Sequence, residues 1–224
     1  MSFAALARKR APGRYGYLAL PGTSGCYAST PDSAAVSVTG DIDVRLKVLL
    51  PDYTPVATAV LLGKSGTATH MSYVFYLNTN GKLTAQASVT GSALSSATAS
   101  VATGITDGAL YWIRFTRTSA DGVVKFYKSS DGSSWTQIGT DQSTTTGAIF
   151  DSDHILEVGA SSGGTSFPAV GHFYRAQIRN TVADDGSGIV FDADFTDTGR
   201  TFNEAGNNAV VTINGATAVA SVHP

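Results

Sequence analysis

The chain has 224 residues, a net charge of −2, one cysteine and only 14% charged side chains. Its length fits one large domain or two small ones, of which we favour one, and a single cysteine excludes an internal disulfide. Glycine (24), serine (24) and threonine (27) are frequent, whereas there are only 2 glutamates and 6 lysines. This composition disfavours surface helices and predicts an all-β protein, with many short strands arranged in two facing antiparallel sheets.

Positive charge is concentrated at the N-terminus. Residues 1–14 contain no acidic side chain, while the remaining residues hold 11 basic and 17 acidic ones. The basic residues of this segment are Arg8, Lys9, Arg10 and Arg14. We therefore divide the chain into a basic N-terminal arm, residues 1–14, and one domain, residues 15–224. The domain lacks the basic face of a nucleic-acid-binding protein, so we expect no nucleic-acid partner. The arm either contacts an acidic partner surface or is a disordered terminus.

Hydropathy indicates neither secretion nor membrane insertion. Residues 3–7 are too short for the apolar core of a signal peptide, and basic residues follow them rather than precede them. No run of about 18 apolar residues exists that could span a membrane. We expect folding in a cytoplasm-like compartment.

The first half of the chain shows the period of two that is typical of strands. Residues 41–49 alternate most clearly, with apolar side chains at even positions and Asp43, Arg45 and Lys47 at odd positions. This pattern predicts a strand with one wet face. Residues 60–64, 72–77 and 82–90 predict further strands, and the small inward alanines of the last indicate close approach by an opposing sheet.

Residues 110–139 predict a meander of three antiparallel strands. Asp121-Gly122 and Asp131-Gly132 separate its β-rich runs, and both dipeptides tolerate the positive φ of tight turns. Later segments predict further short strands, of which residues 171–180 and 189–195 alternate clearly, and raise the expected number of strands to about twelve, with no convincing helix. These segments are residues 155–159, 171–180, 189–195, 200–202, 210–213 and 216–222.

Several motifs, taken in order, resemble a known family. YASTPD at residues 27–32, TGDIDVRLKV at residues 39–48 and the meander with WIRF at residues 112–115 resemble concanavalin A-like (laminin G-like) jelly-roll domains of phage virion proteins. DFTDTGRTF at residues 194–202 is similar to the closing segment of minor tail proteins from phages of actinobacteria. The resemblance covers about residues 15–220.

This resemblance implies a two-sheet antiparallel jelly-roll sandwich with the concanavalin A-like lectin/glucanase fold. It also implies a non-enzymatic structural virion protein, either a minor tail protein or a surface decoration protein. Such a protein is made in the host cytoplasm, contacts other virion proteins on the particle surface and is often a homo-oligomer. We predict attachment to the particle through the arm residues Phe3, Leu6, Arg8, Lys9, Arg10 and Arg14.

The fold family also includes hydrolases, whose paired catalytic glutamates project from one face of a strand. Only Glu157 and Glu204 are present, far apart in sequence, so we expect no enzymatic activity. Asp151-Ser152-Asp153 and Asp184-Asp185-Gly186 have the oxygen donors that Ca²⁺ prefers, but aspartates in such loops more often make turns. We expect no cofactor and leave calcium open.

Trp135 provides an alternative function. The segment SSDGSSW, residues 129–135, is close to the Asp-box turn motif, which implies geometry rather than catalysis. Trp135 either stacks on a sugar or caps the core beside its hairpin. The alternative function is therefore a carbohydrate-binding module for host cell-surface glycans, with Trp135 and Asp131 as glycan-binding residues.

Overall fold

The computed structural model describes residues 16–67, 69–196 and 200–215 and shows two antiparallel sheets that enclose one apolar core. The strands are β1 (Leu18–Pro21), β2 (Tyr27–Thr30), β3 (Ile42–Leu49), β4 (Ala59–Ser65), β5 (Met71–Leu77), β6 (Leu83–Ala87), β7 (Ser95–Thr98), β8 (Leu110–Arg117), β9 (Val123–Ser129), β10 (Thr136–Gln137), β11 (Gln142–Ser143), β12 (Leu156–Val158), β13 (Val170–Arg179), β14 (Ile189–Asp194), β15 (Thr201–Asn203) and β16 (Val210–Asn214). Within the described ranges, no helix is long and apolar enough to cross a membrane.

The strand order brings distant parts of the chain together. Sheet A has the order β1-β13-β3-β8-β9-β10, with β14 beside β13 and β11 beside β9. Sheet B has the order β15-β16-β2-β12-β4-β5-β6-β7. Phe75 of sheet B and Phe115 of sheet A meet between the sheets, with ring centroids 5.0 Å apart. The prediction of an all-β protein with two facing antiparallel sheets is confirmed.

The meander predicted over residues 110–139 is present as β8, β9 and the short β10. Gly122 and Gly132 have φ angles of +70° and +80°, so both Asp-Gly turns use the left-handed conformation that glycine tolerates. A side chain at Gly122 would also place a Cβ 2.4 Å from the Thr144 carbonyl oxygen. Glycine is therefore required at this turn by both conformation and space.

The alternation of β3 is confirmed, but the prediction of a wet face is wrong. Asp43 is fully buried and Arg45 is 4% exposed. Asp43 pairs with Arg45 at 2.7 Å and with Arg114 of the neighbouring β8 at 2.8 Å, and Asp184 approaches Arg45 to 2.6 Å. These four side chains are called the arginine cluster below. Alternation shows which face of a strand is polar, but it does not show what the rest of the chain places over that face.

A bulge in β4 alters the direction of its side chains. The register with β5 shifts between Val60 and Leu62, and both Leu61 and Leu62 are buried in the core. Lys64, two residues further on, pairs with the buried Tyr73 across the ladder and is itself fully buried. The bulge thus directs a lysine into the interior at one end of the sandwich.

Some predictions fall outside the described residues. They are the six attachment residues of the arm, Phe3, Leu6, Arg8, Lys9, Arg10 and Arg14, and the last tail strand, residues 216–222.

Candidate functional site

A groove lies on the outer face of sheet B, the face turned away from the core. Its base is formed by β4, β5 and β6, and the loop of residues 160–168, here called the wall loop, forms one side. Its volume is about 400 Å³. Among the residues that the structure describes, thirteen line the groove, and none of these thirteen carries a charged side chain.

The base of the groove is partly apolar. Val60 and Val74 are almost fully buried under it, and Tyr76 is half-buried beside them. Burial raises the pKa of the Tyr76 hydroxyl, while hydrogen bonds with Thr84 and Ser96 act in the opposite direction. Tyr76 therefore contributes a half-buried phenol ring to the lining of the groove.

Two amide side chains supply polar groups at the base. The Nδ2 atom of Asn78 donates to the Thr84 hydroxyl at 2.7 Å, and the Nε2 atom of Gln86 donates to the Ser96 hydroxyl at 2.8 Å. Each hydrogen bond orients its amide and leaves the amide oxygen as an acceptor. The hydroxyls of Thr58 and Ser65 add donors and acceptors along the same groove.

The wall loop is held in a tight conformation. The backbone N–H groups of Ser161 and Ser166 each donate to the other residue's carbonyl at 3.0 Å. Phe167 has a φ of +51° and is 58% exposed, although a bulky residue rarely adopts this conformation. Its carbonyl accepts a hydrogen bond from the Val60 N–H at 2.9 Å, which fixes the loop to β4.

A buried glutamate anchors the wall loop from below. Glu157 on β12 is fully buried; its Oε1 accepts from the Gly164 N–H at 2.8 Å, and its Oε2 lies 3.2 Å from His154 Nε2. The pKa of Tyr27 is raised by burial and by the charge of Glu157. Glu157 thus positions the loop without lining the groove.

Trp135, predicted as a glycan-binding residue, lies on the other side of the sandwich. Its ring packs over the guanidinium groups of Arg45 and Arg114 on sheet A, each with its Cζ atom 5.2 Å from the ring centroid. Cation–π contact of this kind attaches Trp135 to the arginine cluster. Glycan binding by Trp135 stays a prediction, and the structure separates this residue from the groove.

Asp131, the second predicted glycan-binding residue, organises its own turn. It accepts hydrogen bonds from the Ser134 and Ser133 N–H groups, at 2.7 and 2.8 Å, and from the Ser129 hydroxyl at 2.8 Å. These donors hold the pKa of the Asp131 carboxyl well below its usual range, the Ser134 N–H making the largest contribution. This geometry matches the turn that the Asp-box resemblance implies.

The ammonium group of a lysine lies beside Asp151-Ser152-Asp153, the first stretch considered for calcium. The Lys64 ammonium lies 3.0 Å from Asp32 Oδ1 and 3.9 Å from Asp151 Oδ1, and it donates to the Ser152 carbonyl. An internal cation is therefore already placed among these oxygen atoms. It joins two loops at the end of the sandwich to β4.

The remaining aspartates of the two stretches also have partners. Asp153 pairs with His70, whose hydrogen bond lowers the pKa of the Asp153 carboxyl. Asp184 belongs to the arginine cluster, and Asp185 accepts from the N–H and hydroxyl of Ser187. Among the residues that the structure describes, no group of three or more His, Cys, Asp or Glu side chains is placed to hold a metal ion.

Glu204, the second glutamate, also holds a loop through hydrogen bonds to its backbone. Glu204 is 3% exposed, and its carboxylate accepts hydrogen bonds from four backbone N–H groups at 2.5 to 2.9 Å. The donors are Asp192, Gly206, Asn207 and Ala209. Glu157 and Glu204 therefore hold backbone groups of two separate loops.

Sequence reasoning did not identify the groove. Its base consists of outward side chains from three strands, and its wall comes from a loop about 90 residues later in the chain. In sequence, the wall loop resembles an ordinary connection rich in glycine and serine. Phe167-Pro168 within it was the available signal, since a large aromatic residue is unusual in a connection of small polar residues.

Comparison with known structures defines the class of the fold: the chain is an antiparallel jelly-roll sandwich of the concanavalin A-like kind. Neither protein families nor characterised protein sequences give a match. Three similar solved structures have sequence identities of 10 to 15% to this chain, and similarity of this kind shows the fold alone.

A candidate carbohydrate-binding protein from Bacteroides ovatus matches with a TM-score of 0.56 and 10% identity, over 88% of this chain and 59% of that one. The SAP-like pentraxin of Limulus polyphemus matches with a TM-score of 0.54 and 13% identity, over 92% and 98% of the two chains. Domains LG4-5 of the mouse laminin alpha1 chain match with a TM-score of 0.50 and 15% identity, over 78% and 45%. The chain thus spans less than two thirds of the first structure and less than half of the third.

Proposed function

We propose that this domain is a non-enzymatic carbohydrate-binding module and that the groove on sheet B is its binding site. The observation that carries the proposal is the composition of the groove, in which oriented amides and hydroxyls surround an exposed aromatic ring. Saccharides present hydroxyl groups that need such hydrogen-bonding partners and C–H faces that pack on aromatic rings. The fold, shared with a candidate carbohydrate-binding protein, is compatible with this role.

A binding assay with two matched variants tests the proposal. Purified protein is applied to an array of cell-surface glycans, together with Gln86→Ala in the groove and Trp135→Ala on sheet A. We expect the wild type to bind and Gln86→Ala to bind about fivefold more weakly, since one hydrogen bond contributes about 1 kcal/mol. Trp135→Ala should bind like the wild type. Weakening by Trp135→Ala alone would move the site to sheet A, and no binding by the wild type would contradict the function.

We further propose that binding needs no metal ion. The polar groups of the groove are neutral amides and hydroxyls, which bind sugar hydroxyls directly. Glycan binding should therefore be the same in EDTA and in millimolar calcium. A loss of binding in EDTA would assign a calcium ion to the site.

We also propose that the module is carried on a phage particle as a structural virion protein attached through its arm. Support for this setting comes from the sequence motifs that resemble phage virion proteins and from the basic residues of the arm. Removing residues 1–12 should leave the thermal unfolding midpoint unchanged and abolish incorporation into particles. Normal incorporation of the shortened protein would contradict the role of the arm.

A further inference from the structure

We infer that the groove selects neutral saccharides and that Phe167 is the ring on which the sugar stacks. This inference rests on the proposed function and adds to it the chemical class of the ligand and the residue that recognises it.

The absence of charge in the groove favours a neutral ligand. A sialic acid, a uronic acid or a sulfated sugar carries an anion, and burying an anion without a cation or several donors is costly. The thirteen lining residues supply no lysine or arginine. Lys64 lies on β4, one of the base strands, but its side chain is turned to the interior and pairs with Asp32 at 3.0 Å.

Two titratable groups near the wall loop, Glu157 and His154, are paired with each other. Glu157 lies buried beneath the loop, where its carboxylate is used by the Gly164 N–H and by His154. His154 lies beside Gly66 at the edge of the groove, but its Nε2 faces Glu157 at 3.2 Å, so any positive charge on it is already paired. A neutral sugar therefore has a smaller desolvation cost on entering this groove than a charged sugar has.

Phe167 has the properties of a recognition residue rather than a core residue. It is 58% exposed, so little ring burial compensates for its unfavourable φ of +51°. The following Pro168 favours an extended backbone with negative φ at this position, so the positive φ of Phe167 is unusual for a second reason. The conformation is fixed by the hydrogen bond from Val60 and by the Ser161–Ser166 pair. The backbone therefore presents the ring at the groove in a preset orientation, which lowers the entropy lost on stacking.

The ring also borders an apolar cavity of about 480 Å³, on whose rim Val56 is 99% exposed and Val170 is 50% exposed. A protein partner that docked on this cavity would use Val56 together with Phe167. The hydroxyls and amides on the groove side instead favour a sugar, and Val56 supplies the variant that separates the two surfaces.

The test measures binding to two sets of oligosaccharides by titration calorimetry. One set is neutral (glucan, mannan and galactan fragments), and the other is acidic (sialylated, uronic-acid and sulfated fragments). The wild type should bind members of the neutral set only. Phe167→Ala and Phe167→Gly should each weaken binding about tenfold or more, because a central aromatic contact commonly contributes that much. Val56→Ala should bind like the wild type.

The two Phe167 variants also distinguish loss of the ring from damage to the fold. Phe167→Gly relieves the strain of the positive φ and should raise the thermal midpoint, whereas Phe167→Ala should leave it close to that of the wild type. Loss of binding in both variants, despite different stabilities, supports stacking on the ring.

Each other outcome overturns a defined claim. A preference for acidic oligosaccharides overturns the neutral specificity and leaves carbohydrate binding intact. Undiminished binding by both Phe167 variants overturns the role of the ring. If Val56→Ala weakens binding as much as the Phe167 variants do, the binding site lies at the apolar cavity, and its assignment to the groove is overturned. Failure of the wild type to bind either set overturns the proposed function itself.

Discussion

Asp43 is a fully buried carboxylate, and its environment explains how a polar strand face can lie inside the molecule. Arg45 and Arg114 face each other across β3 and β8, so that both guanidinium groups reach the same carboxylate. Trp135 covers both arginines. Removing one charged member of such a cluster leaves an opposite charge buried without its partner. The loss of folding free energy is then larger than the contribution of the whole cluster to stability.

Asp43→Asn is therefore expected to destabilise the fold strongly. The two buried guanidinium groups would lose their buried carboxylate and keep only the partly exposed Asp184 as a partner, so the free energy of unfolding should fall by about 3–5 kcal/mol. Urea denaturation checks this value. Asp141→Asn is the matched control, since Asp141 pairs with Lys125 at 3.2 Å on the exposed surface and should leave the urea midpoint unchanged. Equal effects of the two variants would contradict the role of the arginine cluster.

The turn around Asp131 predicts a pH dependence of stability. Because hydrogen bonds lower the pKa of Asp131 in the folded state, its contribution is complete above the ordinary value of 3.8 and is lost as the pH falls towards the folded value. Asp131→Asn should therefore be less stable than the wild type at about pH 6, and the difference should shrink towards about pH 2. The urea denaturation midpoints of the wild type and of Asp131→Asn at the two pH values measure this difference in stability. A difference that stays constant with pH would contradict the ionic origin of the effect.

At the scale of elements, the wall loop depends on Glu157. Glu157→Ala removes the acceptor of the Gly164 N–H, so the loop and Phe167 should lose their fixed position. We expect glycan binding to weaken about tenfold and the free energy of unfolding to fall by about 1–3 kcal/mol.

Glu204→Ala is the matched control, because Glu204 is the other buried glutamate that holds backbone N–H groups of a loop. It should destabilise the protein at least as much while leaving glycan binding unchanged. If both variants weakened glycan binding in proportion to their loss of stability, Glu157 would have a general structural role and no specific role in the groove.

Local sequence signals predicted most elements because their physical basis is local. Asp121-Gly122 and Asp131-Gly132 fixed the meander through the conformational freedom of glycine. The alternation of residues 41–49 identified β3. The alternation of residues 82–90 identified β6, whose Leu83, Ala85 and Ala87 are buried in the core. The bulge in β4 was not predictable, because it depends on the pairing of β4 with β5 rather than on its own residues.

At the scale of the whole molecule, the fold creates two different outer faces. On sheet A, cross-strand register collects Asp43, Arg45 and Arg114 under Trp135. On sheet B, register collects uncharged side chains under the wall loop. The sequence drew attention to Trp135 because tryptophan is conspicuous in any chain. It did not reveal the groove, since the register of β4, β5 and β6 and the path of a distant loop are tertiary properties.

The most direct test of the account is a nuclear magnetic resonance titration of ¹⁵N-labelled protein with a neutral oligosaccharide, which locates the binding surface without any substitution. We predict that the shifted amide resonances belong to the wall loop around Phe167 and to β5 near Tyr76, while the indole N–H of Trp135 stays unchanged. Shifts confined to Trp135 and its turn, or no shifts at all, would contradict the account.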